Sequence, residues 1–194
     1  MRERVFTVIL TLGLLATVAQ PASAVTTVGI VNYAFSRSTV RVAEGGHIEW
    51  HNNGSVAHTS TQNGSLSLWN TGNIAPGTSS SSVQLRAAGS YPYHCAIHTS
   101  MHGLIKVPIK VSPATGATST TFTITLASAS QTGYTYDVQR RIGIGPWKLW
   151  KSGVGTTAVT FKGMAGTYAF RSRLHKASNG ATSGWSPARS IIVT

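Results

Sequence analysis

Tyr91-Pro92-Tyr93-His94-Cys95-Ala96-Ile97-His98-Thr99-Ser100-Met101-His102-Gly103 is the stretch on which the reading of this chain turns. It sets the only cysteine three residues before a histidine and six before a methionine. A thiolate, an imidazole and a thioether are three parts of a mononuclear copper ligand set that lacks a second imidazole. His58, in Val56-Ala57-His58-Thr59, is the candidate for that ligand. Two imidazoles and a thiolate in a near-trigonal array, with a weak axial thioether, compromise between the preferences of cuprous and cupric ions. Little then has to move when one electron arrives. Zinc would take one sulfur and two nitrogens, but its fourth ligand is normally a stronger donor than a thioether, and a structural zinc site shows more cysteines.

The remaining histidines read differently. His47 and His51 alternate with Ile48 and Trp50 on an expected strand, so they face solvent. By the same alternation His94 points away from Cys95, and His102 is a solvated loop residue.

The run Tyr-His-Cys-x-x-His-x-x-Met-x-Gly is preceded by Val-x-Val-x-x-Gly-x-x-Ile-x-Trp-x-Asn (Val40 to Asn52), by His58-Thr59 and by Ile74-Ala75-Pro76-Gly77. Together these resemble the cupredoxin family, its amicyanin and plastocyanin members above all, over residues 26–111. The resemblance implies an all-β Greek-key sandwich. It also implies one type 1 copper per chain on His58, Cys95, His98 and Met101, with the His98 imidazole as the route for single electrons. Ile97, Leu104 and Pro108 are then the neighbours from which an apolar docking patch would be drawn. One departure stands out: Ile97 occupies a place where many members carry proline. It restores a backbone N–H close to the thiolate, where a hydrogen bond to sulfur would favour the reduced state.

The chain opens on Met1-Arg2-Glu3-Arg4, continues through an apolar run from Val5 to Val18 and reaches Ala22-Ser23-Ala24. That order of charge, apolar core and small residues is a secretory signal peptide, residues 1–24, cleaved after Ala24. The expected location is secreted, periplasmic or cell-wall associated, with no transmembrane segment in the mature chain. The formal charge of the whole sequence is +12. Arg2, Arg4 and Glu3 carry a net +1 of this, which leaves +11 opposed only by Glu44, Glu49 and Asp137. A single cysteine in an oxidising compartment is best explained by ligation to metal.

Strands are expected over 28–32, 40–43 and 48–52, with Gly45-Gly46, Asn53-Gly54 and Asn63-Gly64 as turns. Asn53-Gly54-Ser55 and Asn63-Gly64-Ser65 also fit the glycosylation pattern but read as ordinary turns. The copper-binding sandwich is assigned to residues 25–111 and a linker to residues 112–118, a small, polar stretch containing Pro113 and Gly116. Residues 119–194 supply a second set of strands. There, Tyr168-Ala169-Phe170-Arg171-Ser172-Arg173 and Ser183-Gly184-Trp185-Ser186-Pro187 resemble the late strands of a fibronectin type III module.

This second unit has no catalytic set, since Asp137 is its only acid and His175 lacks a partner. Arg140, Arg141, Lys148, Lys151, Arg171 and Arg173 are candidates for a basic face, and Trp147 and Trp150 for exposed aromatic contacts. An acidic redox protein or an anionic cell-wall or carbohydrate polymer is the expected partner, and nucleic acid is not. The expected function is single-electron transfer by an exported blue copper protein. The alternative is copper buffering or delivery. An enzyme of the multicopper oxidase type is disfavoured because the chain has no His-x-His pair.

Overall fold

The computed structural model describes residues 25–194, so the expected signal peptide, 1–24, lies outside the described residues. All of the regular structure described is strand. Eight strands fall in the first half: β1 (Val25–Val31), β2 (Ala34–Phe35), β3 (Thr39–Arg41), β4 (Gly46–Asn52), β5 (Thr61–Gln62), β6 (Val83–Leu85), β7 (Gly89–His94) and β8 (His102–Val107). They make two four-stranded sheets, ordered β2-β1-β4-β6 and β3-β8-β7-β5.

Alternation decides which sides of these sheets meet. In β4, Gly46, Ile48, Trp50 and Asn52 are buried while His47, Glu49 and His51 turn outward, as the sequence led us to expect. In β7, Gly89, Tyr91 and Tyr93 are buried, and the same face continues to Cys95. The sheets close on an aromatic centre: Tyr93 of β7 meets Trp50 of β4 at 5.4 Å between ring centroids and Phe35 of β2 at 4.7 Å. Its ring also lies across Gly103 of β8, where any Cβ would collide with it, so the final glycine of the quoted motif is a packing requirement.

The second half contains β9 (Lys110–Ser112), β10 (Thr115–Gly116), β11 (Phe122–Thr125), β12 (Tyr134–Ile142), β13 (Lys148–Val154), β14 (Ala158–Phe161), β15 (Gly166–Lys176) and β16 (Arg189–Val193). Its sheets are ordered β14-β11-β9 and β10-β16-β15-β12-β13. The stretch 112–118, expected as a linker, is tied down in both: Ser112 pairs with Thr123, and Thr115-Gly116 pairs with Ile192-Val193. Trp150 is half-buried against Phe161 and Phe170. Trp147 is held between the guanidinium groups of Arg141 and Arg171, so neither tryptophan is a free aromatic surface.

The two halves share one apolar core, in which Ala87, Ala88 and Tyr91 join Leu126, Tyr136 and Leu174. Backbone bonds cross between them. Ala88 N–H donates to the Leu126 carbonyl at 2.8 Å, and Ser90 and Gly184 exchange two bonds of 2.9 Å. Ser90 lies near the start of β7 and Cys95 just past its end. The second half therefore grips the strand that carries the cysteine, at the end away from it.

Candidate metal centre

Three separate stretches of backbone deliver the donor atoms. Cys95 leaves β7 fully buried. His58, also fully buried, sits between β4 and β5 and is fixed by a two-way backbone pairing with Ile74, at 3.2 and 2.7 Å. His98 rides on the loop from Cys95 to Met101, which is closed by Cys95 N–H to the Met101 carbonyl at 3.1 Å and Met101 N–H to the His98 carbonyl at 2.9 Å. That closure folds Met101 back beside Cys95 as a buried residue.

The donor atoms converge on a triangle. Cys95 Sγ lies 3.9 Å from His58 Nδ1 and 3.8 Å from His98 Nδ1, and the two nitrogens are 3.1 Å apart. A point at the centre of these edges is about 2 Å from each corner, close to the lengths of metal bonds to imidazole nitrogen (about 2.0–2.1 Å) and thiolate sulfur (about 2.3 Å). No carboxylate joins the three among the described residues. One soft sulfur with two imidazoles suits copper. Burial, and after it the neighbouring His98, hold the His58 imidazole below the ordinary histidine range, which keeps it neutral and its lone pair available.

The other histidines stay apart from the triangle, with His102 exposed and His94 turned to the Asn63 side chain. The sulfur receives one backbone amide, but it is that of Thr59, at 3.3 Å. Among the described residues the Ile97 amide makes no bond to sulfur, so the donor expected at Ile97 is found one residue beyond His58 instead. The Thr59 hydroxyl oxygen accepts the Ala96 N–H at 2.7 Å, locking the first residue after the cysteine. A hydroxyl next to the first histidine was the available signal.

Tyr33 is a second residue that sequence reasoning missed. Its backbone is left-handed, with φ of 61°, and its ring meets the His98 imidazole edge-on at 4.9 Å between centroids. A turn between β1 and β2 places it there, far from both histidines in sequence. With Ile97, it flanks the half-exposed His98. Pro108 does not: it follows the far end of β8 and lines a cavity with Glu44, Lys110 and Arg189.

The fold and the candidate donor set define a β-sandwich built around a buried cysteine sulfur and two imidazoles. The cupredoxin-like domain family matches residues 4–107, more than half of the chain, and the chain belongs to that family. Among solved structures it is similar to a reduced Cu(I) form, at pH 4, of an amicyanin mutant, with 23% identity and a TM-score of 0.40 over 47% of this chain and 87% of that one. It is also similar to a purple cupredoxin from Nitrosopumilus maritimus, with 22% identity and a TM-score of 0.40 over 42% of this chain and 98% of that one. No curated protein matches the chain.

Proposed function

We propose that this chain is an exported blue copper protein that carries single electrons between redox partners. The carrying observation is the triangle of His58 Nδ1, Cys95 Sγ and His98 Nδ1, with edges of 3.1 to 3.9 Å inside a closed sandwich. In this reading one type 1 copper is held by His58, Cys95, His98 and Met101, and bound copper supplies a one-electron couple. The residues of the chain do the rest. Backbone pairing at His58 and closure of the Cys95–Met101 loop hold the donors in one geometry for both oxidation states, which favours fast exchange over release of the ion. The exposed edge of His98, with Tyr33 and Ile97 around it, is the contact for a partner. A net charge of +11 on residues 25–194 makes that partner acidic. No catalytic step is assigned.

In the same reading the copper unit spans residues 25–111 and a fibronectin type III-like sandwich spans 119–194. Arg171 and Arg173 of β15 stack on Trp185 with centroid distances of 5.3 and 4.7 Å, which supports the pairing of those two motifs.

The test is to load the protein with cupric ion and record its visible spectrum, then to reduce it beside a cuprous chelator. An intense thiolate-to-copper band, and copper retained on reduction, support electron carriage. A colourless complex refutes the site, and rapid loss of the ion on reduction turns the reading to buffering or delivery.

A further inference from the structure

The long hairpin β12–β13 ends in Ile142-Gly143-Ile144-Gly145-Pro146-Trp147-Lys148. Its tip exposes large apolar side chains: Ile142 is 57% exposed, Ile144 102% and, just beyond, Leu149 59%. The turn after β14, Lys162-Gly163-Met164-Ala165, exposes Met164 at 81%. These two turns lie at the same end of the sandwich. Ile142 pairs with Tyr168 at the start of β15, and Gly143 N–H donates to the Thr167 carbonyl at 2.8 Å.

That end faces away from the metal-bearing half. The opposite end of β12 begins at Tyr134, whose hydroxyl reaches the Leu66 carbonyl of the first sandwich at 3.3 Å, and the strand runs nine residues from there to Ile142. At the usual rise this is about 27 Å.

Cations ring the apolar tips. Arg140, Arg141 and Lys148 line a cavity of about 350 Å³ at the base of the hairpin, and Lys151 and Lys162 stand nearby in sequence. Arg140 and Arg141 are stacked on aromatic rings, Trp150 at 5.7 Å and Trp147 at 4.8 Å, and meet no hydrogen-bond acceptor among the described residues. The Arg141 Nε is shielded from solvent and has no partner. The one ion pair among the described residues uses the only acidic side chain of this half: Asp137 binds Arg173 at 3.0 Å. Apolar tips with a collar of uncompensated cations match a bilayer surface, with acyl chains for the tips and anionic headgroups for the collar.

We infer that the end of the second sandwich formed by Ile142, Ile144, Met164, Arg140, Arg141 and Lys148 docks on an anionic lipid surface. Such docking holds the Cys95 loop away from the bilayer, where a soluble partner reaches it. A polymer of charged groups alone would use the collar but leave Ile144 and Met164 in water, so the apolar tips select lipid over an anionic wall polymer. Among the described residues no helix is long and apolar enough to cross a membrane, and docking of this kind needs none.

The test is co-sedimentation of the full chain with vesicles of equal parts phosphatidylglycerol and phosphatidylcholine, and with phosphatidylcholine alone, at low and high salt. Expected is sedimentation with the anionic vesicles at low salt only. The Ile144→Asp, Met164→Asp double variant, whose sites are exposed and carry no fold, should bind at least about tenfold more weakly. The Lys148→Glu, Lys162→Glu variant should do likewise, because each cation near the surface contributes about fivefold. Absence of binding to anionic vesicles overturns the inference. So does an Ile144→Asp, Met164→Asp variant that binds like the parent, or full competition by soluble polyphosphate, since either shows a surface for charge alone. The copper-thiolate spectrum of each variant should match the parent, which keeps this outcome separate from the copper reading.

Discussion

The backbone N–H of Thr59 donates to Cys95 Sγ at 3.3 Å, across 36 residues of sequence. The hydroxyl of the same residue lies 3.8 Å from the sulfur and accepts the Ala96 N–H at 2.7 Å. One residue thus draws charge from the thiolate and pins the loop that follows it. Thr59→Val keeps the amide and deletes the hydroxyl. Losing a hydrogen bond of about 0.5–1.5 kcal/mol to sulfur should lower the reduction potential of the copper form by about 20–60 mV. The orphaned Ala96 amide should cost about 1–3 kcal/mol of stability, and Thr59→Ser should restore most of both. Redox titration and urea unfolding read the two effects, and a parental potential in Thr59→Val would show that the hydroxyl does not act on sulfur.

The ligand set makes a sharper prediction. Cupric ion should raise the melting temperature of the parent and generate the visible band; at a hundred times Kd, linkage adds about 2.7 kcal/mol. Cys95→Ser should abolish the band and most of the rise, because only a thiolate supplies that charge transfer. Met101→Leu should keep the colour with a shifted band, since the thioether is the weak donor. A blue Cys95→Ser protein would move the site elsewhere.

What the sequence made legible follows from what is local in it. Period-2 alternation in Gly46–Asn52 and Gly89–His94 gave the buried faces directly, and the spacing of Cys95, His98 and Met101 within one loop marked three candidates, of which Cys95 and His98 meet His58 in the triangle. Long-range contacts were less visible. Thr59 acts through a neighbour 36 positions away and Tyr33 through a turn that brings its ring onto His98. Neither contact leaves a periodic trace. The expected linker shows the same limit: Pro113 and Gly116 mark a break in composition, yet the flanking residues pair in sheets because partners from β11 and β16 were waiting. The resemblance puts Pro108 with Ile97 in one docking patch, while the six residues of β8 carry it to the other end of the sheet.

The grip of the second half on β7 sets the behaviour of a truncated chain. A fragment of residues 25–108 keeps His58, Cys95, His98 and Met101 with their sheets, so it should bind copper and show the colour. It should also be less stable. Ala87, Ala88 and Tyr91 lose their cover, and the bonds of Ala88 with Leu126 and of Ser90 with Gly184 are gone. With the Ser128 N–H to Arg86 carbonyl bond of 2.8 Å, four backbone bonds are lost, and at about 0.5–1.5 kcal/mol each they imply a loss of about 2–6 kcal/mol before any apolar area is counted. Thermal unfolding of fragment and full chain compares them. Equal stability would mean that the contact between halves contributes little, and a colourless fragment would mean that the second half completes the site.

Glu44 predicts a pH dependence at that same contact. Its carboxyl is buried, neither oxygen has a hydrogen-bond partner, and burial raises its pKa from 4.5 to about 7 against the opposing pull of Lys110. The groups facing it are the hydroxyls of Tyr91 and Tyr136, both themselves pushed upward, first by burial and also by this carboxylate. A folded-state pKa above the unfolded one means that the folded chain holds the proton more tightly. The associated stability is fully present below about pH 4.5 and is lost as pH rises through about 7. Each tenfold gain in proton affinity is worth about 1.4 kcal/mol, so up to about 3 kcal/mol is at stake. Glu44→Gln keeps the shape and cannot ionise. It should match the parent near pH 5 and exceed it by about 1–3 kcal/mol near pH 8. Urea unfolding of both proteins at the two pH values isolates Glu44 from every other ionisable group, since the variant shares them all. A difference between them that does not change with pH would show that the carboxyl is already ionised at pH 5, and that Lys110 outweighs burial in setting its charge.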